Sequence, residues 1–299
     1  MESLKLGTRI ILKNLAYLTD FSAASQSALP FAVAIAEKFG CKIYALHVIT
    51  PAMYAFTADL ASDGLAALEE CAARDMGLLA KQFGPLPNQT VIQRGIDVWM
   101  SLQQAIQDQG IDLVVLGTRG RAGAAKLVLG SVAEEIFRRS PVPVLTIGPK
   151  VSHRAHEDAG FHRILFATDF TPESAAAFPY AISFAEENQA SLTLLHVLPE
   201  LANDQKHEDD VSQTALSNLS GLVPAEAQAW CQPEFVLSYG KPAERILEIA
   251  DERKAELIVL GVRSHGGRLG SATHLETAIA HRVVARAHCP VLTVRSLAS

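Results

Sequence analysis

A glycine-rich segment in the first half of the chain has the residue types and spacing that could bind a phosphate group. Gly117, Gly120 and Gly130 follow an apolar run, and Ser131 comes directly after the last glycine. Glycines let the backbone approach an anion, and a helix that starts there adds free N–H groups and a hydroxyl. About three or four charge-assisted hydrogen bonds, each contributing about 1.5–3 kcal/mol, could hold a polyphosphate without a Walker lysine. The segment therefore predicts a phosphate cradle.

Ser131 also has a purely structural interpretation. Residues 131–134 read Ser-Val-Ala-Glu, which is a capping box. In such a box Ser131 would accept a hydrogen bond from its own helix, and Gly130 would only permit the turn. A matching box, Thr-His-Leu-Glu at 273–276, predicts that the corresponding helix of the second half begins at Thr273. The sequence leaves both interpretations of Ser131 open.

The elements that would position these residues alternate between strands and helices. Apolar runs rich in Val, Ile and Leu alternate with segments rich in Ala, Leu, Glu and Lys. The runs at 113–117 and 257–261 are apolar throughout, so they predict central strands of parallel sheets covered on both faces. Ligands of such sheets bind beyond the carboxyl ends of the strands, where Asp20 and Gly117 fall. The predicted strands of the first half lie near 14–19, 42–49, 90–94, 111–117 and 142–147.

The two halves of the chain repeat each other. When residues 19–48 are laid over 168–197, twelve of thirty positions are identical, among them Thr-Asp-Phe after the first strand and His-Val in the second. Chance would give about two matches, so the chain contains an internal duplication. Polar, aperiodic sequence predicts a linker over 150–160, between domains 1–149 and 161–299.

The composition excludes several classes of protein. A hydrophobic fraction of 49% excludes a disordered chain, and a net charge of -6 argues against binding to nucleic acid. No apolar run approaches about 18 residues and the N-terminus lacks a signal-peptide pattern, which predicts a cytoplasmic protein without a membrane partner. The cysteines and histidines lack the spacing of a disulfide framework or metal site, and no GxSxG or triad order assigns a catalytic residue.

Asp20, the pair His47-Val48 and the glycine spacing together resemble the universal stress protein family in a tandem two-domain form. The resemblance covers nearly the whole chain as two consecutive copies. It implies that each half is a doubly wound α/β domain with a parallel five-stranded sheet of order 3-2-1-4-5 and an adenine nucleotide alpha hydrolase-like fold. It also implies that ATP, with or without Mg²⁺, binds between the first and fourth strands.

Carried over by position, the resemblance places the adenosine at Asp20 and Val48. Charge supports this orientation, because an ionised carboxylate repels a triphosphate and belongs at the sugar or base end. Arg119, Arg121 and Lys126 could compensate the phosphate charge, or they could be ordinary solvated side chains. The resemblance assigns the loop and the phosphates to Gly117, Gly120, Gly130, Ser131 and Val132.

The second half departs from this pattern in its glycine segment. It keeps Asp169, Val197 and Gly261, but Ser264 stands where the second glycine is expected and His274-Leu275 where Gly130-Ser131 is expected. We therefore expect the first half to bind adenine nucleotide and the second to bind it weakly or not at all.

The favoured function is that of a regulatory stress-response protein whose ATP occupancy changes a partner surface, with little or no turnover. A slow ATPase and a nucleotide-free stress or scaffold module are the alternatives. The apolar last strands, VLTI at 144–147 and VLTV at 291–294, predict that the two halves pair through them into a pseudo-twofold unit. Further association into a homodimer is left open.

Overall fold

The structure is a computed structural model. It describes residues 9–51, 63–118, 130–151, 160–200, 205–227, 231–262 and 271–295. The chain divides into two compact units, Leu12–Pro149 and Lys150–Ser299, and residues 9–11 belong to the second. Most of the predicted linker, residues 152–159, lies outside the described ranges.

The first unit is a parallel α/β domain. Its described strands are β1 (Asn14–Leu18), β2 (Lys42–Ile49), β3 (Asn88–Arg94), β4 (Leu113–Gly117) and β5 (Val144–Ile147). Its described helices are α1 (Ala23–Phe39), α2 (Asp63–Gln82), α3 (Val98–Gln109) and α4 (Ser131–Arg139). The strand pairings give the order β3-β2-β1-β4-β5, which confirms the predicted 3-2-1-4-5 order.

The second unit repeats this architecture. Its described strands are β6 (Arg163–Thr168), β7 (Ser191–Leu198), β8 (Glu234–Tyr239), β9 (Leu257–Val262) and β10 (Val291–Arg295). Its described helices are α5 (Pro172–Asn188), α6 (Gln205–Leu222), α7 (Pro242–Glu252) and α8 (Ser271–Arg286). The pairings give β8-β7-β6-β9-β10, so each strand has the same neighbours as its counterpart in the first unit.

The strands that the sequence predicts as central are buried along most of their length. Leu113, Val114 and Val115 of β4 are fully buried, and β9 is buried in the same way along its first four residues. A strand covered on both faces needs apolar residues at successive positions, which explains the continuous runs LVVL and LIVL. The carboxyl end of each sheet therefore includes the end of a strand that is buried on both faces.

The first helix of each unit begins directly after a capping residue. Ser22 and Thr171 are the N-caps, and each side chain accepts a hydrogen bond from the backbone N–H three residues on, at Ser25 and Ser174. These bonds satisfy N–H groups that the first turn of a helix leaves without an intrahelical acceptor. The turn between β1 and α1, and its counterpart in the second unit, are therefore fixed at their helical ends.

Residues 9–11 lie against helix α5 of the second unit. The Ile10 N–H donates to Ser183 Oγ at 3.1 Å, and the Arg9 guanidinium bonds to the Glu187 carboxylate. The compact first unit consequently starts at Leu12.

Candidate functional site

The chain makes a strained, well-bonded turn directly after β1. Phe21 has a φ of 61°, in the left-handed region that bulky residues rarely adopt. Its N–H donates to Thr19 Oγ1 at 3.0 Å, and the Ser22 N–H donates to Asp20 Oδ1 at 3.0 Å. These bonds hold the conformation and keep the Asp20 carboxylate at the end of the strand.

The second unit contains the same turn. Phe170 has a φ of 62°, and its N–H donates to Thr168 Oγ1 at 3.0 Å. Asp169 Oδ1 accepts hydrogen bonds from the Thr171 N–H at 3.0 Å and from Thr171 Oγ1 at 2.6 Å. Desolvation opposes the charged carboxylate, but hydrogen bonds from Thr171 and Ser174 outweigh it and lower the pKa of Asp169 below its usual value. This carboxylate is therefore ionised at neutral pH.

A histidine on the second strand ties each turn to its sheet. His47 Nδ1 lies 2.8 Å from Thr19 O, and its ring packs on Phe21 with centroids 4.6 Å apart. His196 repeats both contacts in the second unit. A carbonyl oxygen only accepts hydrogen bonds, so Nδ1 carries the proton in both rings. The two histidines therefore hold each turn against the second strand of its own sheet.

Val48 presents its main chain, and not its side chain, to the space beyond β1. On β2, Leu46 O accepts from the Thr19 N–H, whereas Ile49 O accepts from the Gly95 N–H beside β3. Main-chain groups of a parallel strand alternate between its two neighbours, so those of Val48 face the β1 side. Strand β1 has already ended at Leu18, so the Val48 N–H and C=O face the crevice next to Asp20.

Gly95, which the sequence analysis did not single out, is needed for close packing at this edge. It directly follows β3, and a Cβ there would overlap Ser101 Oγ and lie 3.2 Å from Val48 Cγ1. Gly240 occupies the same position after β8, and its N–H bonds to Leu198 O as the Gly95 N–H bonds to Ile49 O. The sequence does contain a signal for this position, because a glycine follows the third strand of each half.

Gly117 has a packing reason to be glycine. A Cβ at Gly117 would overlap the carbonyl of Ala24, in the first turn of α1. Gly261 is equally constrained, because its Cβ would overlap Glu173 O at the start of α5. Both units keep this glycine so that a helix can cross the end of the central strand, whether or not a ligand binds.

Helix α4 starts beside the end of β4. The Gly130 N–H donates to Thr118 O at 2.8 Å, and the Thr118 N–H donates to Ile147 O at 3.1 Å. Gly130 and Thr118, which flank residues 119–129, are thus joined directly. The predicted Gly120 and the three basic side chains of this segment lie outside the described residues.

The capping-box prediction for Ser131 is wrong. Gly130 is the N-cap of α4 and makes no side-chain cap bond, and Ser131 is the first helical residue. The Glu134 N–H bonds to Gly130 O at 2.9 Å, while helix geometry gives the N–H groups of Ser131 and Val132 no intrahelical acceptor. Both residues are exposed, with 43% of Val132 accessible. The start of α4 is therefore a solvent-facing set of donors at the positive end of a helix dipole.

The structure brings the described candidate residues to one edge of the first sheet. They lie at the carboxyl ends of β1, β2 and β4 or at the start of α4, and these three strands are adjacent in the order β2-β1-β4. Ligands of open α/β sheets bind outside the carboxyl ends of the strands, at the point where the winding reverses. That point lies between β1 and β4. The residues gathered there are Asp20, Val48, Gly117, Gly130, Ser131 and Val132.

The second unit connects its central strand to the following helix by a shorter route. Fourteen positions separate Gly117 from Ser131, the first residue of α4, whereas ten separate Gly261 from Ser271, the first residue of α8. The predicted start of this helix at Thr273 is thus wrong by two residues. Residues 263–270 lie outside the described part of the chain.

Neither a metal cluster nor a membrane span is found among the residues that the structure describes. No group of three or more His, Cys, Asp or Glu side chains in these ranges could hold a metal ion. No described helix is both long and apolar enough to cross a membrane.

The two units are doubly wound parallel α/β domains that follow each other in the chain. Their fold is of the adenine nucleotide alpha hydrolase-like type. The family model of the universal stress protein family matches residues 12–148 and again 160–295. The chain therefore belongs to the universal stress protein family.

Individual relatives match either about half of the chain or nearly all of it. Universal stress protein YxiE of Bacillus subtilis is 31% identical over 151 residues, covering 45% of this chain and 99% of its own. A universal stress protein of Mycolicibacterium smegmatis is 24% identical over 296 residues, covering 92% of this chain and 95% of its own. The crystal structure of a universal stress protein from Archaeoglobus fulgidus superimposes with a TM-score of 0.71 at 21% identity, covering 94% of this chain and 98% of that one.

Proposed function

We propose that the first unit binds an adenine nucleotide, with ATP as the ligand, and that the protein acts as a stress-response regulator with little or no turnover. The observation that carries the proposal is the exposed start of α4, which is bonded through Gly130 to the end of β4. The Asp20 carboxylate and the Val48 N–H and C=O lie at the neighbouring ends of β1 and β2. The proposed site therefore has a donor-rich end and an acceptor-rich end.

The base and sugar of the nucleotide fit the end formed by β1 and β2. The Val48 N–H and C=O form a donor–acceptor pair that matches the acceptor N1 and the donor amino group of adenine. The Asp20 carboxylate accepts hydrogen bonds from ribose hydroxyls, as acidic residues do at the ends of strands in other nucleotide-binding α/β sheets. This end carries negative charge, so it repels the phosphates.

The phosphates fit the start of α4. The N–H groups of Ser131 and Val132, the Ser131 hydroxyl and the helix dipole all favour an anion at this position. Gly130 already donates its N–H to Thr118 O, so its contribution is the lack of a side chain between the helix start and the ligand. Mg²⁺, where it accompanies ATP, would be held mainly by phosphate oxygens, because the carboxylate of the site lies at the base end.

Binding without turnover is favoured over ATP hydrolysis by the same charge arrangement. Hydrolysis requires a positioned water and a group that orients or deprotonates it near the terminal phosphate. In the proposed orientation Asp20 is at the far end of the ligand. The slow ATPase remains the second candidate, and timed phosphate release from the purified protein separates the two.

Association through the last strands is a further part of the proposal. In the sheets, Pro143 O and Ile147 O bond towards β4, and Pro290 O bonds towards β9. The main chains of Thr146 and Val291 therefore face away from those neighbours. If another strand pairs along these edges, deuterium exchange will show both amides protected. Rapid exchange at both would contradict pairing.

The direct test of nucleotide binding begins with the purified protein. Denaturing it and identifying the released small molecules by mass spectrometry should yield adenine nucleotide. A stripped protein that neither retains nor rebinds ATP would favour the nucleotide-free scaffold instead.

A further inference from the structure

We infer that the second unit has a ligand site of its own, distinct from the proposed nucleotide site, that takes small planar aromatic amines. An open cleft of about 450 Å³ lies beyond the end of β7, between that strand and helix α6. Binding pockets for small molecules usually have volumes of about 300–1,000 Å³. The cleft is therefore large enough for a one- or two-ring ligand.

The cleft is on the opposite face of β7 from the residue that corresponds to Val48. Its floor is formed by His196 and Leu198. Side chains of a strand alternate between faces, so Val197 points away from the cleft. None of the described residues lining the cleft is the counterpart of a residue in the site proposed for the first unit.

One wall of the cleft is a rigid aromatic surface. Phe170 is fixed by its left-handed backbone and by the N–H bond to Thr168 Oγ1. Its ring packs on His196 with centroids 4.4 Å apart, and His196 Nδ1 lies 2.7 Å from Thr168 O. Because these contacts already fix both rings, the rings can stack a planar ligand with little further loss of side-chain freedom.

The corresponding histidine in the first unit is buried. His47 is only 3% exposed, whereas His196 is partly accessible and lines the cleft. The histidine makes the same hydrogen bond and ring contact in both units. It is buried in the first unit and borders an open cleft in the second.

The opposite wall presents hydrogen-bonding side chains, most of whose available groups are acceptors. Asp210, Thr214 and Asn218 are spaced four residues apart on α6, so they form a row along one side of the helix. Thr214 Oγ1 donates its hydrogen to Asp210 O at 2.8 Å, which leaves only lone pairs for a ligand. Asp210 offers a carboxylate to a ligand in the cleft. This wall is also fixed, since Ser212 Oγ bonds to Tyr239 OH of β8 at 2.7 Å.

These groups select the chemistry of the ligand. The described lining has one acidic side chain and no lysine or arginine, so it favours a cation or a neutral donor and disfavours phosphate. Stacking requires a flat ring. A planar ring with amine or amidine N–H groups satisfies both walls.

The test uses two probes of nearly the same shape and opposite charge, benzamidine and benzoate. Each is titrated into the full-length protein while backbone amide shifts are followed by NMR. Benzamidine should shift the amides of α6 and Phe170 in a saturable way, and benzoate should bind at least about tenfold more weakly. Equal binding of the two probes, or no saturable shift with benzamidine, would overturn the inference.

A pair of neighbouring substitutions controls for location. Asn218→Trp fills the cleft, whereas Ser217→Trp places the same side chain on the exposed surface of the same helix. Only Asn218→Trp should abolish benzamidine binding, and Asp210→Asn should weaken it about three- to fivefold. Retained binding in folded Asn218→Trp protein would place the probe elsewhere and refute the assignment.

Discussion

The two units share the turn after the first strand and differ in what lies around it. Each has Thr-Asp-Phe with a left-handed phenylalanine, a histidine bonded to the threonine carbonyl, and a glycine under the first helix. They differ in the connection from the central strand to its helix, which is four residues shorter in the second unit. Features that both units retain therefore cannot explain a difference in ligand binding between the units, and features that only one unit retains are the candidates for that difference.

The largest expected effect tests the packing side of this comparison. Gly117→Ala and Gly261→Ala should each lower the free energy of unfolding of their own unit by about 2–3 kcal/mol, because the new methyl overlaps helix backbone. Chemical denaturation measures both. Gly77→Ala is the matched control: nothing lies within 4 Å of its Cβ position, and this change in the interior of α2 should stabilise the protein by up to about 1 kcal/mol.

Equal losses at Gly117 and Gly261 would show that this glycine serves the fold in both units. If Gly117→Ala left stability unchanged and weakened only ATP binding, the packing explanation would be wrong.

The second effect concerns the aspartate that both units keep. Asp20→Asn should weaken ATP binding about tenfold, because a charged acceptor at the sugar becomes a neutral one. Asp169→Asn makes the same change in the same turn of the second unit and should leave ATP affinity unaltered. Isothermal titration calorimetry measures both variants, and equal losses would mean that ATP binding depends on both units.

A third effect separates the main chain of α4 from its side chain. Ser131→Ala removes only the hydroxyl and should weaken ATP binding about two- to threefold. Ser131→Pro also removes the N–H, which the first position of a helix tolerates, and should weaken binding about five- to tenfold. Ser271→Pro at the start of α8 is the control and should have no effect on ATP. A Ser131→Pro variant with the affinity of the original chain would exclude this N–H from the phosphate site.

The smallest effect is a pH dependence from Asp169. Its pKa is lower in the folded chain than in the unfolded one, so its ionised form stabilises the native state above the unfolded pKa of about 3.9. That contribution is lost as the pH falls through the lower folded pKa. The stability advantage of the original chain over Asp169→Asn should therefore shrink on acidification from pH 5 to pH 2, as measured by urea denaturation. An advantage that grows on acidification would contradict the direction of the pKa shift.

Strand positions could be predicted from the sequence because they depend on local hydrophobic patterns, whereas the strand order was an expectation from the resemblance to the universal stress protein family. The predicted strand at 42–49 coincides with β2, and the unbroken apolar run at 113–117 is central as expected. The duplication strengthened these predictions, since each pattern occurs twice.

The details of the candidate site depend on contacts that a sequence does not display. The left-handed conformation of Phe21 opposes its intrinsic preference, and it is held by Thr19 and by the packing of His47. The packing role of Gly117 depends on where α1 crosses β4. The role of Ser131 stayed open in the sequence because it depends on Gly130, which is bonded to Thr118 across a segment of intervening chain.

The most direct test of the central claim is the number of ATP molecules bound per chain. Protein stripped of nucleotide is titrated with ATP and measured by native mass spectrometry, with Asp20→Asn and Asp169→Asn measured in parallel. The account predicts one tightly bound ATP per chain, weakened by the first substitution and not by the second. Two equivalent ATP molecules per chain, or a single one that depends on Asp169, would contradict it.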